Sequence, residues 1–338
     1  MPPKKTSTTN SKKNSTKNST KNSMTNSMTN SIKRPPAAAT TALAALAAVA
    51  LVCSAGPARA QALPPHELSE DDARARLPRA DFSGLNGEQR ATLVELAGDT
   101  FDYAGCNSTL AACLRVGVKD KHAPRMAKLA SQLLQDGVPP SQVIFYLEQY
   151  YGSFPAAKRK QLRTDDCPVL GDKGSIWVVE YSDYQCPHCA AALKPLHDLA
   201  DSFKGKVRLC SKYFPLPGHA RAVSAAGAAE FARSKKKFWE LNEILFARQD
   251  ELEDSNLKAY AKQVGLDGDA LLKEVYAGRY NDLIERHKKE GMDAGVRSTP
   301  SLFFNGRLLT LPVKAEYLAF SAEDELEWAR NNGAWDKE

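Results

Sequence analysis

No aspartate or glutamate occurs in the first 60 of the 338 residues, although that stretch carries nine lysines and arginines. The formal net charge of the chain is +6, so residues 61–338 carry six minus nine, or −3. A basic excess confined to one end leaves a nucleic-acid-binding body without its main electrostatic support. Long apolar runs are equally scarce. Apart from the stretch Ala37 to Val52, nothing approaches the roughly 20 apolar residues that a spanning helix needs. The chain has one Cys-x-x-Cys, but no second one and no His-x3-His. A zinc site would have to recruit scattered ligands such as Cys210 or His197, which disfavours a metal reading. What remains is 43% hydrophobic and 25% charged, ordinary for a soluble globular protein. The length suggests two domains.

Residues 1–34 are a low-complexity Asn/Ser/Thr/Lys tract with a four-residue echo (Asn14-Ser15-Thr16-Lys17, then Asn18-Ser19-Thr20-Lys21). Such a tract has nothing apolar to bury and is expected to be disordered. Lys33-Arg34, the apolar run Ala37 to Val52 and the small-residue site Ala58-Arg59-Ala60 together read as a secretory signal peptide spanning the leader, 1–60. Cleavage is expected before Gln61, leaving the mature chain periplasmic or otherwise extracytoplasmic. An uncleaved leader acting as a membrane anchor is the alternative, and Cys53 lipidation a lesser one. Translation from Met24 or Met28 would give an n-region of conventional length.

Of seven cysteines, Cys53 lies in the leader, which leaves six in an oxidising compartment. The body that holds them divides in two. Residues 85–155 read as a small helical module with three amphipathic segments: Gly87–Leu96, Ala123–Gln135 and Pro140–Tyr150. Residues 156–170 read as a linker. From 171 to 338 the texture is α/β. Ile176–Tyr181 is a strand by β-branched and aromatic content, Ala190–Phe203 is a helix, and Lys206–Phe214 is a second strand. Strand, helix, strand within about forty residues is a βαβ unit with parallel pairing. A long helical insertion follows at about 219–294. Ser301–Leu309 then reads as a hairpin turning at Asn305-Gly306, and a last helix is expected from Ser321, with Asp324 three residues on as a capping partner.

The chemistry sits on Cys186-Pro187-His188-Cys189. A lone Cys-x-x-Cys is compatible with a redox pair, half a zinc site or a structural disulfide. Here it opens a helix directly after a strand. Unpaired N–H groups and aligned peptide dipoles at a helix N-terminus favour an anion, so the Cys186 thiolate is favoured there. His188 can add charge or a hydrogen bond. A stabilised thiolate favours the reduced form, which makes the disulfide a strong electron acceptor.

Tyr181-Ser182-Asp183-Tyr184-Gln185-Cys186-Pro187-His188-Cys189 resembles the active-site segment of DsbA-like thiol–disulfide oxidoreductases of the thioredoxin superfamily. Phe214-Pro215-Leu216-Pro217-Gly218-His219-Ala220 resembles their second strand and its exit into a helical insertion. Ser298-Thr299-Pro300-Ser301-Leu302-Phe303-Phe304-Asn305-Gly306-Arg307 resembles their cis-proline loop and closing hairpin. The resemblance covers about residues 165–338 and implies a thioredoxin fold with a long helical insertion, preceded by the small all-α module. It implies Cys186 as nucleophile, Cys189 as resolving thiol, Pro300 as a cis-proline facing the pair, and Thr299 as a backbone contact for extended substrate. A trans proline starting a strand is the plainer reading of Pro300. Glu180 stands where the superfamily places a buried acid. An acid in an otherwise apolar strand has a raised pKa if buried, and a proton-relay role competes with an exposed strand end. His197 and His219 read as structural or surface residues.

Residues 85–151 more faintly resemble the small helical domain of CcmH-type cytochrome c maturation proteins. A Cys106–Cys113 disulfide closing a small loop, worth about 2–3 kcal/mol, is the plainer account of that module's cysteines. Cys167 and Cys210 are left as a second disulfide or as separate thiols. The expectation is therefore an exported enzyme that introduces disulfides into protein thiols and exchanges electrons with a membrane redox partner. It would use no metal and no redox group beyond its own cysteine pair, and would not bind nucleic acid. A reductase or isomerase of cytochrome c maturation, or a non-catalytic thioredoxin-fold binding module, are the alternatives.

Overall fold

The computed structural model describes residues 66–103, 105–119 and 121–335; the leader and its expected cleavage site lie outside them. The centre is a five-stranded sheet in the order β1-β3-β2-β4-β5. Its strands are β1 (Val169–Leu170), β2 (Ile176–Ser182), β3 (Val207–Tyr213), β4 (Ser301–Phe304) and β5 (Arg307–Leu308). β2 and β3 run parallel from Ile176↔Val207 to Ser182↔Tyr213, and the connection between them is α6 (Pro187–Ser202). β4 lies antiparallel on the other side of β2, with Glu180 opposite Leu302. Period-two alternation sorts the side chains. Ile176, Val178, Leu209, Leu302 and Phe304 fill one core with α6 residues, while Val179, Tyr181, Cys210 and Phe303 fill another. The hairpin turns at Asn305 and Gly306, both at positive φ (48° and 80°), as a type I′ turn requires.

Among the described residues five α-helices precede the sheet: α1 (Glu70–Arg76), α2 (Gly87–Asp99), α3 (Leu110–Cys113), α4 (Ala123–Gln135) and α5 (Pro140–Gly152). The insertion comprises α7 (Ala222–Ser234), α8 (Phe238–Ala247), α9 (Asp254–Gln263), α10 (Gly268–Tyr276) and α11 (Asn281–Ala294). The chain closes with α12 (Ala315–Arg330).

Three expectations differ from this structure. The first concerns α12, which begins at Ala315 rather than Ser321. Asp324, read as a cap, is fully buried inside the helix, where it pairs with Arg125 and accepts from the Tyr150 hydroxyl at 2.9 Å. Its burial pushes the carboxyl up to about 6. The second concerns the helical module, which does not stand apart. α12 turns Leu318 and Ala322 to the sheet, whereas Tyr317 and Phe320, with Trp335 beyond its end, complete the core of α1–α5. The third concerns residues 156–170, read as a linker, which form a tied strap. The Lys160 amide donates to the Gly306 carbonyl at 2.7 Å, and Arg159 meets the buried Glu325 at 2.9 Å. The strap ends in β1, and a Cys167–Cys210 disulfide joins it to β3 across a Cα–Cα distance of 5.6 Å. A second disulfide, Cys106–Cys113, closes the loop between α2 and α3.

Candidate active site

β2 ends at Ser182, and four residues later Cys186 stands as the N-cap of α6 in an extended conformation (φ −85°, ψ 117°). Pro187 follows at the first helical position, where its missing N–H costs nothing and its fixed φ suits the turn. Cys186 and Cys189 are free thiols. They differ in depth. Cys186 retains 5% exposure and Cys189 none. The Cys186 thiol donates to the Thr299 carbonyl at 3.3 Å, and the Thr299–Pro300 peptide is cis. Strand pairing thus brings residues 113 positions apart onto one sulfur. Burial pushes the Cys189 thiol up, and the charge of Glu180 adds to that effect. Glu180 is itself buried; loss of water raises its carboxyl to about 7, partly opposed by the nearby Ser182 and Ser211 hydroxyls. His188 and Pro187 are exposed.

Residues 164–320 match the family model described as thioredoxin. This segment is a thioredoxin-family domain. Curated relatives include the Na(+)/H(+) antiporter NhaA 1 of Mycobacterium sp. (strain KMS), 34% identical over 155 residues, 44% of this chain and 24% of that protein. They also include the Na(+)/H(+) antiporter NhaA 3 of Salinispora tropica, 33% identical over 156 residues, 46% of this chain and 24% of that protein. The matched region spans about a quarter of the length of these relatives. Among the described residues no helix is long and apolar enough to cross a membrane. Similar solved structures include a thioredoxin-like oxidoreductase from Silicibacter pomeroyi DSS-3 (27% identity, TM-score 0.44, covering 49% of this chain and 94% of that one). BdbD from Bacillus subtilis is another (22% identity, TM-score 0.46, covering 50% of this chain and 97% of that one).

In the thioredoxin domain the loop that carries Cys186 is gripped by the segment leading into the insertion. The buried Asp183 carboxylate accepts from the Leu216 amide at 2.7 Å and pairs with His219 Nδ1 at 2.8 Å. Gln185 Oε1 accepts from the Arg221 amide at 2.6 Å. The Tyr184 hydroxyl donates to Asn242 Oδ1 at 2.7 Å, both buried, and the Tyr184 ring lies 4.6 Å from that of Phe246. His219, read as structural or surface, therefore holds a carboxylate three residues from Cys186. Sequence reasoning does not single out Asp183, Asn242 or Gln249. The only signal for Asp183 is its place inside the nine-residue segment around the cysteines, and nothing marks the other two.

Among the described residues one cluster has the spacing of metal ligands, Asp102 with Cys106 and Cys113. Its two sulfurs are joined in a disulfide and the Asp102 carboxylate accepts from the Cys106 amide at 3.0 Å, so the donor set does not suit a metal ion. Behind the sheet, Lys212 is fully buried between Glu290 and Asp166, with the Tyr181 hydroxyl donating to Glu290 at 2.7 Å. His287 lies 3.4 Å from Asp166. These groups sit with the core of Tyr181 and Cys210, on the face away from Glu180.

Proposed function

We propose that the chain is an exported thiol–disulfide oxidoreductase of the DsbA-like kind, which introduces disulfides into protein substrates through Cys186 and Cys189. One observation carries the reading. A shallow cysteine caps a helix beside a cis-proline loop, while its partner and a carboxylic acid lie buried beneath. In the oxidised enzyme a substrate thiolate attacks the Cys186 sulfur, and the Cys186–Cys189 bond breaks with Cys189 as leaving group. Cys189 is buried and its thiolate disfavoured, so it needs a proton; Glu180, poised near neutrality, is the group to hand one over. A second substrate thiolate then attacks the substrate sulfur of the mixed disulfide and releases Cys186 as a thiolate at the helix end. The substrate dithiol passes two electrons to the enzyme and releases its two protons to solvent; one proton is taken back up by Glu180, and Cys186 remains a thiolate. Thr299 offers its backbone to an extended substrate alongside Pro300. The signal-like leader supports a periplasmic or extracytoplasmic location, where a membrane partner would re-oxidise the pair. Antiport is not carried over from the relatives, because the match takes in 24% of each.

Equilibration of the purified protein with glutathione buffers, with the Cys186–Cys189 state read by mass tagging, tests the proposal. The expected potential lies above about −270 mV, the value of thioredoxin, and Cys186→Ser abolishes exchange. A thioredoxin-like potential would overturn the oxidising direction. Failure of the folded wild type to exchange at all would overturn the redox reading.

A further inference from the structure

Gln249 lies two residues beyond the end of α8 and reaches back to the reactive loop. Its side-chain Nε2 donates to the Tyr184 carbonyl at 2.7 Å and to the Cys186 carbonyl at 2.8 Å. A carboxamide has two N–H donors, and both are used. The two carbonyls lie on either side of Gln185 in the turn Asp183–Cys186, which the Cys186 amide closes by donating to the Asp183 carbonyl at 3.0 Å, so one amide bridging them holds the geometry of that turn. The turn delivers Cys186 in the extended conformation from which it caps α6. The Cys186 carbonyl also accepts the first bonds of the helix, from the Cys189 amide at 3.0 Å and the Ala190 amide at 3.3 Å. Gln249 is thus a third donor on a carbonyl that belongs to the same residue as the reactive sulfur.

The anchor is firm at its other end. α8 buries Leu241 and Leu245 completely, and its Asn242 and Phe246 engage the Tyr184 side chain. We propose that Gln249 is a positioning residue for Cys186, through which the helical insertion sets the first turn of α6 and the ease with which the cysteine pair is reduced. The proposal rests on the redox reading above. Its physical basis is electrostatic as well as geometric. A carbonyl oxygen carries partial negative charge, and a donor held against it lowers the negative potential beside a neighbouring thiolate. The reduced form, which holds that thiolate, gains from the donor.

The sign follows and separates positioning from mere packing. At a fixed glutathione ratio, Gln249→Ala is expected to lower the reduced-to-oxidised ratio about two- to tenfold, the scale of one lost hydrogen bond. Gln249→Glu keeps the shape but replaces donors with a negative charge, and should shift the ratio at least as far in the same direction. Gln249→Lys keeps a donor and adds positive charge, and should return the ratio to the wild-type value or beyond. Thermal unfolding of each variant shows that it is folded; should the Glu variant fail to fold, the Ala and Lys variants decide. Wild-type ratios in the folded variants, or Glu and Lys shifts of the same sign, would overturn the proposal. A folded wild type that does not exchange with glutathione would sink the redox reading first, and this proposal with it.

Discussion

Glu180 is a carboxylic acid buried in the strand beneath a cysteine pair, and its proton couples stability to pH. Its ordinary value is 4.5 and burial raises it to about 7. Below the ordinary value the group is neutral in both folded and unfolded chains and costs nothing. As pH rises towards 7 the unfolded chain releases the proton while the folded chain retains it, so stability falls across that window and levels off above it. Glu180→Gln removes the titration. It is expected to gain up to about 3 kcal/mol in stability above neutral pH relative to the wild type, and nothing in acid, by urea unfolding across pH. The same variant should slow thiol exchange near neutrality, since Cys189 loses its proton donor. His287 has the opposite sign. Burial first, and the charge of Lys212 next, lower it from 6.5 to about 4, so its contribution is present above the ordinary value and lost as pH falls towards 4. Asp166 and Glu290 face it and partly oppose that shift. Subtracting the wild-type stability curve from that of the Glu180→Gln variant separates the two groups, because His287 titrates alike in both.

At the scale of elements, α12 joins the two halves of the described chain. Its Glu325 is almost completely buried, with Arg307 Nε at 2.6 Å and Arg159 at 2.9 Å. The Arg307 guanidinium also lies 4.0 Å from the centre of the Phe154 ring, at the end of the helical module. One carboxylate therefore links the hairpin, the strap and α12. Removing it strands the buried Arg307 guanidinium and takes the carboxylate away from the half-buried Arg159. Glu325→Ala is expected to cost about 3–5 kcal/mol, the range for breaking a buried ion pair, read as a fall in the urea midpoint without a change in the redox equilibrium. A stability loss that leaves the redox equilibrium unchanged is expected because the polar partners of Glu325 are Arg159, Asn305 and Arg307, none of them in the Cys186 loop.

At the scale of the whole molecule, the described residues carry two structural disulfides with different reach. Cys106–Cys113 spans a sequence separation of 7, Cys167–Cys210 one of 43. In the chain-entropy account the longer loop stabilises by about 4 kcal/mol and the shorter by about 2.5 kcal/mol. Replacing both cysteines of each pair with serine should therefore lower Tm more for the strap disulfide than for the module disulfide. Calorimetry on the two double variants checks the order. Both should still exchange with glutathione, because the Cys167–Cys210 bond lies on the sheet face away from Glu180 and the Cys106–Cys113 bond in another core.

Local chemistry alone determined how the Cys186–Cys189 segment of this protein is built. A strand of branched and aromatic residues followed by Cys186-Pro187-His188-Cys189 can only place the first thiol at a helix end, and Asn305-Gly306 supports a tight hairpin whatever surrounds it. β2, α6, β3 and the hairpin were legible for that reason, within one to three residues at their ends. Contacts between residues far apart in the chain leave no such periodic mark. Asp324 follows Ser321 at the spacing of a cap, and only the arrival of Arg125 and Tyr150 from the helical module makes it the centre of a buried polar cluster. The strap looks like a linker because its charges suit solvent, and Glu325 and Gly306 are what tie it down. Gln249 is an ordinary polar residue after a helix until folding carries it to the Cys186 carbonyl. Tertiary structure decided these roles, because each depends on a partner that burial selects and sequence spacing does not reveal.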